Sequence, residues 1–253
     1  MLHPTAKHWF ATALLALCAL AAAVPAHSAG EILITQAKAN AGNVTPGDSP
    51  GFPVTLSLPG AYQLAGNLTV PSGKDGVSIT AHDVTLDLNG FRIHGSSVAN
   101  IGIVGTLNSA TIRNGTVAAF KGHGIHLTAR YNIVENMRIV VNGGRGIDAS
   151  GSSSLIRKNI VSSNFSGIFA VDALIQANVV VGNTIAGISA LRSTIVGNTI
   201  ASNGSYGISG RRAHRIPTLS GYGNNTLVNN NGNGAQVNEH VAPLHPNTCK
   251  PAC

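Results

Sequence analysis

The feature that most constrains this chain is an internal repeat of about twenty residues. The stretch LIRKNIVSSNFSGIFA at 155–170 is echoed by LIQANVVVGNTIAGISA at 174–190 and by TIVGNTIASNGSYGIS at 194–209. A Gly-Ile pair marks the copies with spacings of 22, 22, 21, 20 and 20 residues, at Gly102, Gly124, Gly146, Gly167, Gly187 and Gly207. A period of this length predicts similar units stacked along one axis.

Each copy contains two or three short runs of alternating apolar character, separated by Asn, Gly or Ser. No run is long enough for a helix of about ten residues. Three short strands per copy and one copy per turn predict an all-β fold, a right-handed parallel β-helix with rungs of about 20–22 residues. Leucine-rich repeats need a leucine scaffold that this sequence lacks, and a propeller blade needs about twice the length.

A second marker is a column of asparagines at Asn114, Asn136, Asn159, Asn178, Asn198 and Asn225. We expect their side chains to stack at a bend and to hydrogen-bond from rung to rung. The Gly column is expected at another bend, where positive φ or close backbone approach excludes a Cβ. The residues before the asparagines begin Arg113, Glu135 and Lys158, whose alternating charges predict cross-strand pairs.

The ends of the chain have a different composition from the repeat. Residues 1–29 combine Lys7, an apolar run and small residues, which predicts a secretory signal cleaved after Ala26, Ser28 or Ala29. We expect an N-terminal cap and first coil at 30–75, the β-helix at 76–238 and a C-terminal cap at 239–253. No later segment is apolar and long enough to predict a membrane span. The expected location is therefore periplasmic or extracellular.

Charge and cysteine usage agree with export. The formal charge of +7 falls to +6 when Lys7 leaves with the signal, which favours acidic partners. Export makes an acidic polysaccharide or surface polymer a better candidate than nucleic acid. Cys249 and Cys253 are expected to form a disulfide that pins the C-terminus. A zinc half-site is the alternative interpretation of their spacing.

Several longer sequence segments are similar to those of a known group of proteins. FPVTLSLPGAYQL, VTLDLNGFRIHG, ATIRNGTV and the recurring GNT and GI resemble the secreted bacterial right-handed parallel β-helix proteins of the pectate-lyase-like superfamily. The resemblance covers about residues 50–253 and implies the fold. It implies no single activity, because the superfamily includes lyases, hydrolases, epimerases, tailspikes and adhesins.

The motifs of the active members are mostly absent. Of the polygalacturonase motifs only Gly122-His123-Gly124 is present, and without paired aspartates glycoside hydrolysis has no general acid or base. The Asp-Pro-His-Asp word of the alginate epimerases is missing, and the nine acidic residues are too scattered for a calcium cage. His123 and His126 lack an evident third ligand, so we expect no metal and no cofactor.

Aligning the Gly-Ile pairs predicts an outward column of Val104, His126, Asp148, Phe169, Ser189, Ser209 and Gln236. His126 and Asp148 would then be rung neighbours, and a histidine oriented by an aspartate can act as a general base. Arg145 would hold a substrate carboxylate, as a polysaccharide lyase requires. The alternative interpretation is a structural surface His-Asp pair.

The copy after Gly207 is 27 residues long and contains GRRAHRIP. Its Arg211, Arg212 and Arg215 suit carboxylate or sulfate groups, and Tyr206 and Tyr222 on either side are candidates for stacking on sugar rings. A solvated insertion is the alternative. Three functional hypotheses follow: a secreted binder of acidic polysaccharide, a polysaccharide lyase using His126, Asp148 and Arg145, and a structural or adhesive rod.

Overall fold

A computed structural model describes residues 30–210 and 219–253. The predicted secretory signal and the arginines at 211, 212 and 215 lie outside these residues. The described chain is a parallel β-helix in which strands pair with their equivalents one rung away, as the repeat predicts. Helical structure within the described residues is limited to α1 (Gln36–Ala41) and a 3-10 turn (Asn231–Asn233).

One face of the β-helix is a parallel sheet that we call sheet B. Its eight strands in the described residues are β2 (Val54–Leu56), β5 (Val77–Ile79), β8 (Ile103–Gly105), β10 (Ile125–Leu127), β12 (Arg145–Ala149), β15 (Ser166–Val171), β18 (Ile188–Leu191) and β21 (Ile208–Gly210). The candidate site lies on the outer surface of this sheet.

The remaining strands form sheet A, which supplies two strands or one long strand to each rung. Its seventeen strands in the described residues are β1 (Ile32–Ile34), β3 (Gly60–Leu64), β4 (Leu68–Thr69), β6 (Val84–Asp87), β7 (Arg92–His94), β9 (Thr111–Ala118), β11 (Ile133–Val140), β13 (Leu155–Arg157), β14 (Ile160–Ser162), β16 (Leu174–Gln176), β17 (Val179–Val181), β19 (Thr194–Val196), β20 (Thr199–Ala201), β22 (Ser220–Gly223), β23 (Thr226–Val228), β24 (Val241–Pro243) and β25 (Thr248–Lys250).

The core runs along the axis between the sheets. The isoleucine of each Gly-Ile pair is paired with its equivalent one rung away and is completely buried, at Ile103, Ile125, Ile147, Ile168, Ile188 and Ile208. No single rung buries enough apolar surface to be stable alone, so the stacked column is what holds the rungs together.

The Gly column is explained by close backbone approach. A Cβ added to Gly124 would lie 2.7 Å from the carbonyl oxygen of Gly146 and 2.5 Å from Ile139. These glycines do not have positive φ in the described structure, so the alternative reason given by the sequence does not apply. Their alignment confirms that residues about twenty positions apart are lateral neighbours.

Asparagines form two ladders, buried except at the terminal Asn247, and the sequence analysis missed one of them. In each ladder the backbone N–H and the side-chain amide of one residue donate to Oδ1 of the next, at 2.8–3.1 Å. The first ladder contains Asn159, Asn178, Asn198, Asn225 and Asn247, and the second contains Asn142, Asn164, Asn183, Asn203 and Asn230.

Asn114 and Asn136 do not belong to the first ladder. They pair with each other one position earlier, where the backbone has φ of 60° and 53°. Because Arg138 pairs with Ile160, Asn159 lies beside Met137 rather than Asn136. The interval from Asn136 to Asn159 is 23 residues, one more than the length of this rung. The sequence alignment therefore placed Asn136 one residue out of register with Asn159.

The predicted charge column is also wrong by one residue at the rung that contains Lys158, for the same reason. The paired residues are Asp87, Arg113, Glu135 and Arg157, with Arg157 in place of Lys158. Arg113 Nε donates to Asp87 at 2.8 Å and Arg157 Nε donates to Glu135 at 2.7 Å. The alternating signs therefore pair across strands, as predicted.

Both predicted caps contain strands of the β-helix. β1 pairs with β3 in the segment 30–75, and α1 begins immediately after β1, with Thr35 as its N-cap. In 239–253, β24 pairs with β22 and β25 pairs with β23, so this segment adds further strands to sheet A. Cys249 and Cys253 form a disulfide at the last strand.

Candidate ligand-binding groove

Four polar side chains form a square on the outer surface of sheet B. His123 and His126 lie on one rung, and Arg145 and Asp148 lie at the equivalent positions of the next rung. The pairing of His126 with Asp148 confirms the predicted register. The column continues through Phe169, Ser189 and Ser209, but its next member is Asn238 instead of Gln236, because Ile208 bridges to Val237.

Asp148 is buried, although the sequence placed it on an exposed column. Only 4% of its side chain is accessible, and Arg145 Nη1 lies 2.6 Å from its Oδ2 atom. The Arg145 guanidinium in turn lies 4.3 Å from the centre of the Phe169 ring. Arg145 and Phe169 thus cover Asp148, and the buried carboxylate has a positive partner, which a buried charge requires.

His126 lies beside the same carboxylate without a short hydrogen bond. Its Nδ1 atom is 3.5 Å from Asp148 Oδ2, which is longer than a normal hydrogen bond. Both His126 Nδ1 and Asp148 Oδ1 are buried and lack a hydrogen-bond partner in the described structure. The predicted His126–Asp148 pair is therefore adjacent but not tightly coupled.

His123 is held by the backbone of the next rung. The Arg145 backbone N–H donates to its Nδ1 atom at 2.9 Å, and its ring stacks on the His126 ring with centroids 5.3 Å apart. Burial lowers the pKa of His123 below the usual range; His126 and Arg145 also lower it, and the Asp148 charge opposes the shift. The neutral ring therefore has its acceptor nitrogen occupied and carries its proton on Nε2.

The same residues are spaced like ligands of a metal ion. Nitrogens of His123 and His126 and a carboxylate oxygen of Asp148 lie within 4.8 Å of one another, so the fold supplies the third group that the sequence did not reveal. The hydrogen bonding opposes a metal, however. Metal-bound histidines donate through their second nitrogen, whereas the second nitrogen of His123 accepts, and Arg145 already neutralises Asp148.

A groove of about 700 Å³ begins at this square and runs parallel to the axis. One column of its lining is His123, Arg145, Ser166, Ala186 and Tyr206, which occupy successive rungs. Five rungs span roughly 19 Å at the spacing of paired strands. Phe165, Ile185 and Ser205 form one wall, and Ser189 and Ser209 lie on the sheet surface.

Comparison with known proteins agrees with this architecture. The family model described as "Right handed beta helix region" matches residues 60–194, more than half of the chain. The chain belongs to this right-handed β-helix family. No curated protein matches it. Among solved structures, the β-helix is similar to the Dettilon tailspike protein (gp208), with 17% identity and a TM-score of 0.49 over 70% of this chain and 41% of the tailspike chain.

The β-helix brings some of the sequence-predicted binding residues together and separates others. Arg145 and Tyr206 both line the groove. Tyr222 is only 5% exposed, because its position on β22 points into the core, so its predicted role in stacking on a sugar ring is incorrect. Arg211, Arg212 and Arg215 lie outside the described residues. They follow directly in sequence after β21, whose Ser209 lines the groove.

The sequence analysis missed several residues of the groove. Phe165 is 49% exposed and Ile185 is 40% exposed, and both lie two residues before the glycine of the Gly-Ile pair. Both residues lie at a bend outside the alternating apolar pattern of the strands, and this position was the signal that their side chains face solvent. His123 also occupies this bend, and its pairing with Arg145 follows from the same 22-residue alignment that predicted His126 and Asp148.

The described residues contain no helix that is long and apolar enough to cross a membrane.

Proposed function

We propose that this β-helix is a secreted protein that binds an acidic polysaccharide along the groove of sheet B. The observation that carries the proposal is the composition of the groove. It combines a guanidinium and an imidazole at one end with the exposed Phe165 and the partly buried Tyr206, and it follows the axis for five rungs. A linear polymer fits a linear groove, and apolar ring faces with nearby hydroxyl groups are suited to sugars.

Charge supports an acidic ligand. The chain has a formal charge of +7, and none of the residues that the structure describes in the lining of the groove is acidic. Asp148, at the end of the groove, is buried and paired with Arg145. Arg145 uses Nη1 for Asp148, which leaves its Nε and Nη2 edge without a hydrogen bond in the described structure. A guanidinium edge of this kind binds a carboxylate through two hydrogen bonds. The leader-like residues 1–29 and the Cys249–Cys253 disulfide support export to an oxidising compartment.

The test is retardation of the protein in gels that contain a polyuronate. We expect Arg145→Gln to weaken retardation by about tenfold, because it removes the charged contact. Arg192→Gln is the matched control. It removes one positive charge from an exposed Asp172–Arg192 pair outside the groove, so it should leave retardation nearly unchanged. Equal loss in both variants would indicate nonspecific charge attraction. No retardation on any acidic glycan would contradict the proposal and favour a structural or adhesive rod.

A second candidate function is a polysaccharide lyase. The observation in its favour is that His126 lies next to the Asp148 carboxylate, with Nδ1 3.5 Å from Oδ2, while Arg145 beside it lines the groove. In this mechanism His126 takes the proton next to the uronate carboxylate, Arg145 holds that carboxylate, and the leaving sugar departs with the electron pair of the broken C–O bond.

The lyase is tested by the ultraviolet absorbance of the unsaturated uronate that elimination produces. We expect polyuronate to give this signal with the wild-type protein and His126→Ala to abolish it while gel retardation is retained. Activity that survives His126→Ala would exclude His126 as the base. Binding without any product would leave the simpler polysaccharide-binding function.

A further inference from the structure

The contacts of His123 at the end of the groove determine which of its ring nitrogens carries the proton. This position of the proton indicates a specific contact with a ligand. An imidazole in its neutral form has one donor and one acceptor nitrogen. The Arg145 backbone N–H occupies the acceptor, Nδ1, at 2.9 Å. The ring proton is then fixed on Nε2. This conclusion depends only on the backbone contact and holds whatever the ligand is.

Protonating His123 is unfavourable for two reasons. A proton on Nδ1 would face the Arg145 N–H, so the hydrogen bond would be lost and replaced by repulsion. Burial is also the main cause that lowers the pKa of His123; the neighbouring His126 and Arg145 lower it further, and the Asp148 charge acts against them. Asp148 and Arg145 are the only charged groups that the described residues place against it, and they already pair with each other. His123 is therefore a neutral hydrogen-bond donor.

Nε2 of His123 has no acceptor within hydrogen-bond distance in the described structure. Its closest acidic atom, Asp148 Oδ2, is 3.8 Å away, and 29% of the side chain is exposed. Arg145 Nη1 lies 2.6 Å from the same oxygen, so the His123 ring and the Arg145 guanidinium lie side by side at the Asp148 carboxylate. Both residues line the groove.

We propose that His123 Nε2–H and the free edge of the Arg145 guanidinium form a clamp for one carboxylate group of the bound polymer. The clamp rests on the proposed function and assigns its first subsite. The neutral donor adds a directional hydrogen bond to the charge of Arg145, and Asp148 fixes the guanidinium in place. A planar carboxylate can accept from both groups at once. This arrangement favours a uronic acid over a neutral sugar in that subsite.

The first measurement is the nitrogen-15 chemical shift of the His123 ring at neutral pH, with and without a uronate oligosaccharide. We expect a neutral ring with the proton on Nε2, and a shift of the Nε2 signal when the oligosaccharide is added. His82 is the matched control. Its Nδ1 accepts the Asn108 backbone N–H at 3.2 Å, but it does not line the groove, so it should not respond to the ligand.

The second measurement compares the affinities of two variants for the same oligosaccharide. Asn at position 123 can still accept from the Arg145 N–H through its Oδ1 atom but cannot reach the position of Nε2. We therefore expect His123→Asn to weaken binding by about tenfold without unfolding the protein. Gln reaches the Nε2 position with its amide, and His123→Gln should recover part of that loss. A sulfated glycan as second probe distinguishes a carboxylate from other anions.

The outcomes separate the clamp from the polysaccharide-binding function. A proton on Nδ1 or a charged ring at neutral pH would overturn the clamp. So would wild-type affinity in His123→Asn while Arg145→Gln loses binding, because the groove would then bind without His123. Absence of binding to every acidic glycan would defeat both proposals, and the ring shifts would still show whether the donor is fixed as the structure indicates.

Discussion

Two Asp-Arg pairs in this protein illustrate how burial changes the contribution of an ion pair to stability. Arg145 reaches Asp148 at 2.6 Å where the carboxylate is 4% accessible, whereas Arg192 reaches Asp172 at the same distance where the carboxylate is 31% accessible. Water screens the second pair more than the first, because both members of the second pair are partly exposed whereas Asp148 is buried. Identical contact lengths therefore do not imply equal contributions to stability.

Removing the charge of each aspartate should reveal this difference. We expect Asp148→Asn to destabilise the protein by about 3 kcal/mol, because it weakens the partner of a half-buried guanidinium and leaves polar atoms unpaired. Asp172→Asn should cost about 0–1 kcal/mol. Denaturant unfolding of the two variants measures both values. Similar costs would show that Asp148 is solvated in solution.

The protonation of His123 predicts how stability depends on pH. Its pKa in the folded protein is lowered, first by burial, from an ordinary value of 6.5. The unfolded chain therefore binds the proton more readily than the folded chain in the interval below 6.5. Stability should be complete above that pH and should fall as the pH drops through it, until the folded protein is itself protonated.

Denaturation midpoints between pH 5 and pH 8 measure this effect. His123→Asn should flatten the dependence, while His82→Asn, at an exposed histidine, should leave it unchanged. A dependence that is identical in His123→Asn and in the wild type would assign the titration to another group.

At this scale the sequence predicted the His126–Asp148 neighbours but not their surroundings. Rung alignment gives lateral neighbours directly, because residues 22 apart share a column. It does not show that Arg145 and Phe169 lie over the carboxylate, since the alignment places residues in columns but does not give the rotamers of long side chains. For this reason Asp148 was expected on the surface, and Tyr222 was expected beside a ligand rather than in the core.

Among the elements, the asparagine ladders are the polar counterpart of the isoleucine column. Asn183 is 1% exposed, and its Oδ1 accepts from the backbone and side-chain amides of Asn164. Its own amides donate to Asn203 at 3.0 and 2.9 Å. Each ladder residue thus satisfies buried groups of the rungs on both sides, which apolar residues at the same corner could not do.

Replacing one ladder residue should therefore be costly. We expect Asn183→Ala to destabilise the protein by about 2–4 kcal/mol, because the backbone N–H and the side-chain amide of Asn164 lose their acceptor in a buried site. Asn203 Oδ1 loses one of its two donors and keeps the backbone N–H of residue 183. Asn40→Ala is a control at an exposed asparagine that accepts a single hydrogen bond from Gln36. Thermal unfolding of both variants tests this. A loss in Asn183→Ala no larger than in Asn40→Ala would mean that water replaces the ladder contacts.

The repeat predicted the strands and their parallel pairing, and it failed where the period changed. The Gly-Ile pairs aligned correctly, because the carbonyl oxygen of the next rung lies too close to the first position of the pair for any residue except glycine. The asparagine words slipped by one residue at Asn136, because asparagine also suits the positive φ of the adjacent position. One residue type with two roles at neighbouring positions cannot be resolved from spacing alone.

For the whole molecule, stacking implies that stability is distributed coil by coil. Residues 174–193 form one complete coil, since Leu174 pairs with Thr194 and the ladders cross it at Asn178 and Asn183. Deleting this coil places Asn159 beside Asn198 and Asn164 beside Asn203. The remaining rungs then meet in the same register.

We expect the protein lacking 174–193 to fold, with a moderately lower melting temperature and unchanged β-sheet content by circular dichroism. Deleting only 174–183 is the matched control, because half a coil places sheet A strands against bends and breaks both ladders. That variant should fail to fold. Equal behaviour of the two deletions would show that the coil is not the unit of stability.

The even spacing of the rungs also restricts how a linear ligand could bind along the groove. Equivalent positions of the groove recur at roughly 4.8 Å intervals, set by the hydrogen bonds of sheet B. If a polymer binds as proposed, a stiff chain that is anchored at Arg145 and has a different repeat will fall progressively out of phase with Ser166, Ala186 and Tyr206. For such a ligand we expect each added sugar unit to contribute less than the one before it, so that affinity levels off at a chain length set by the mismatch.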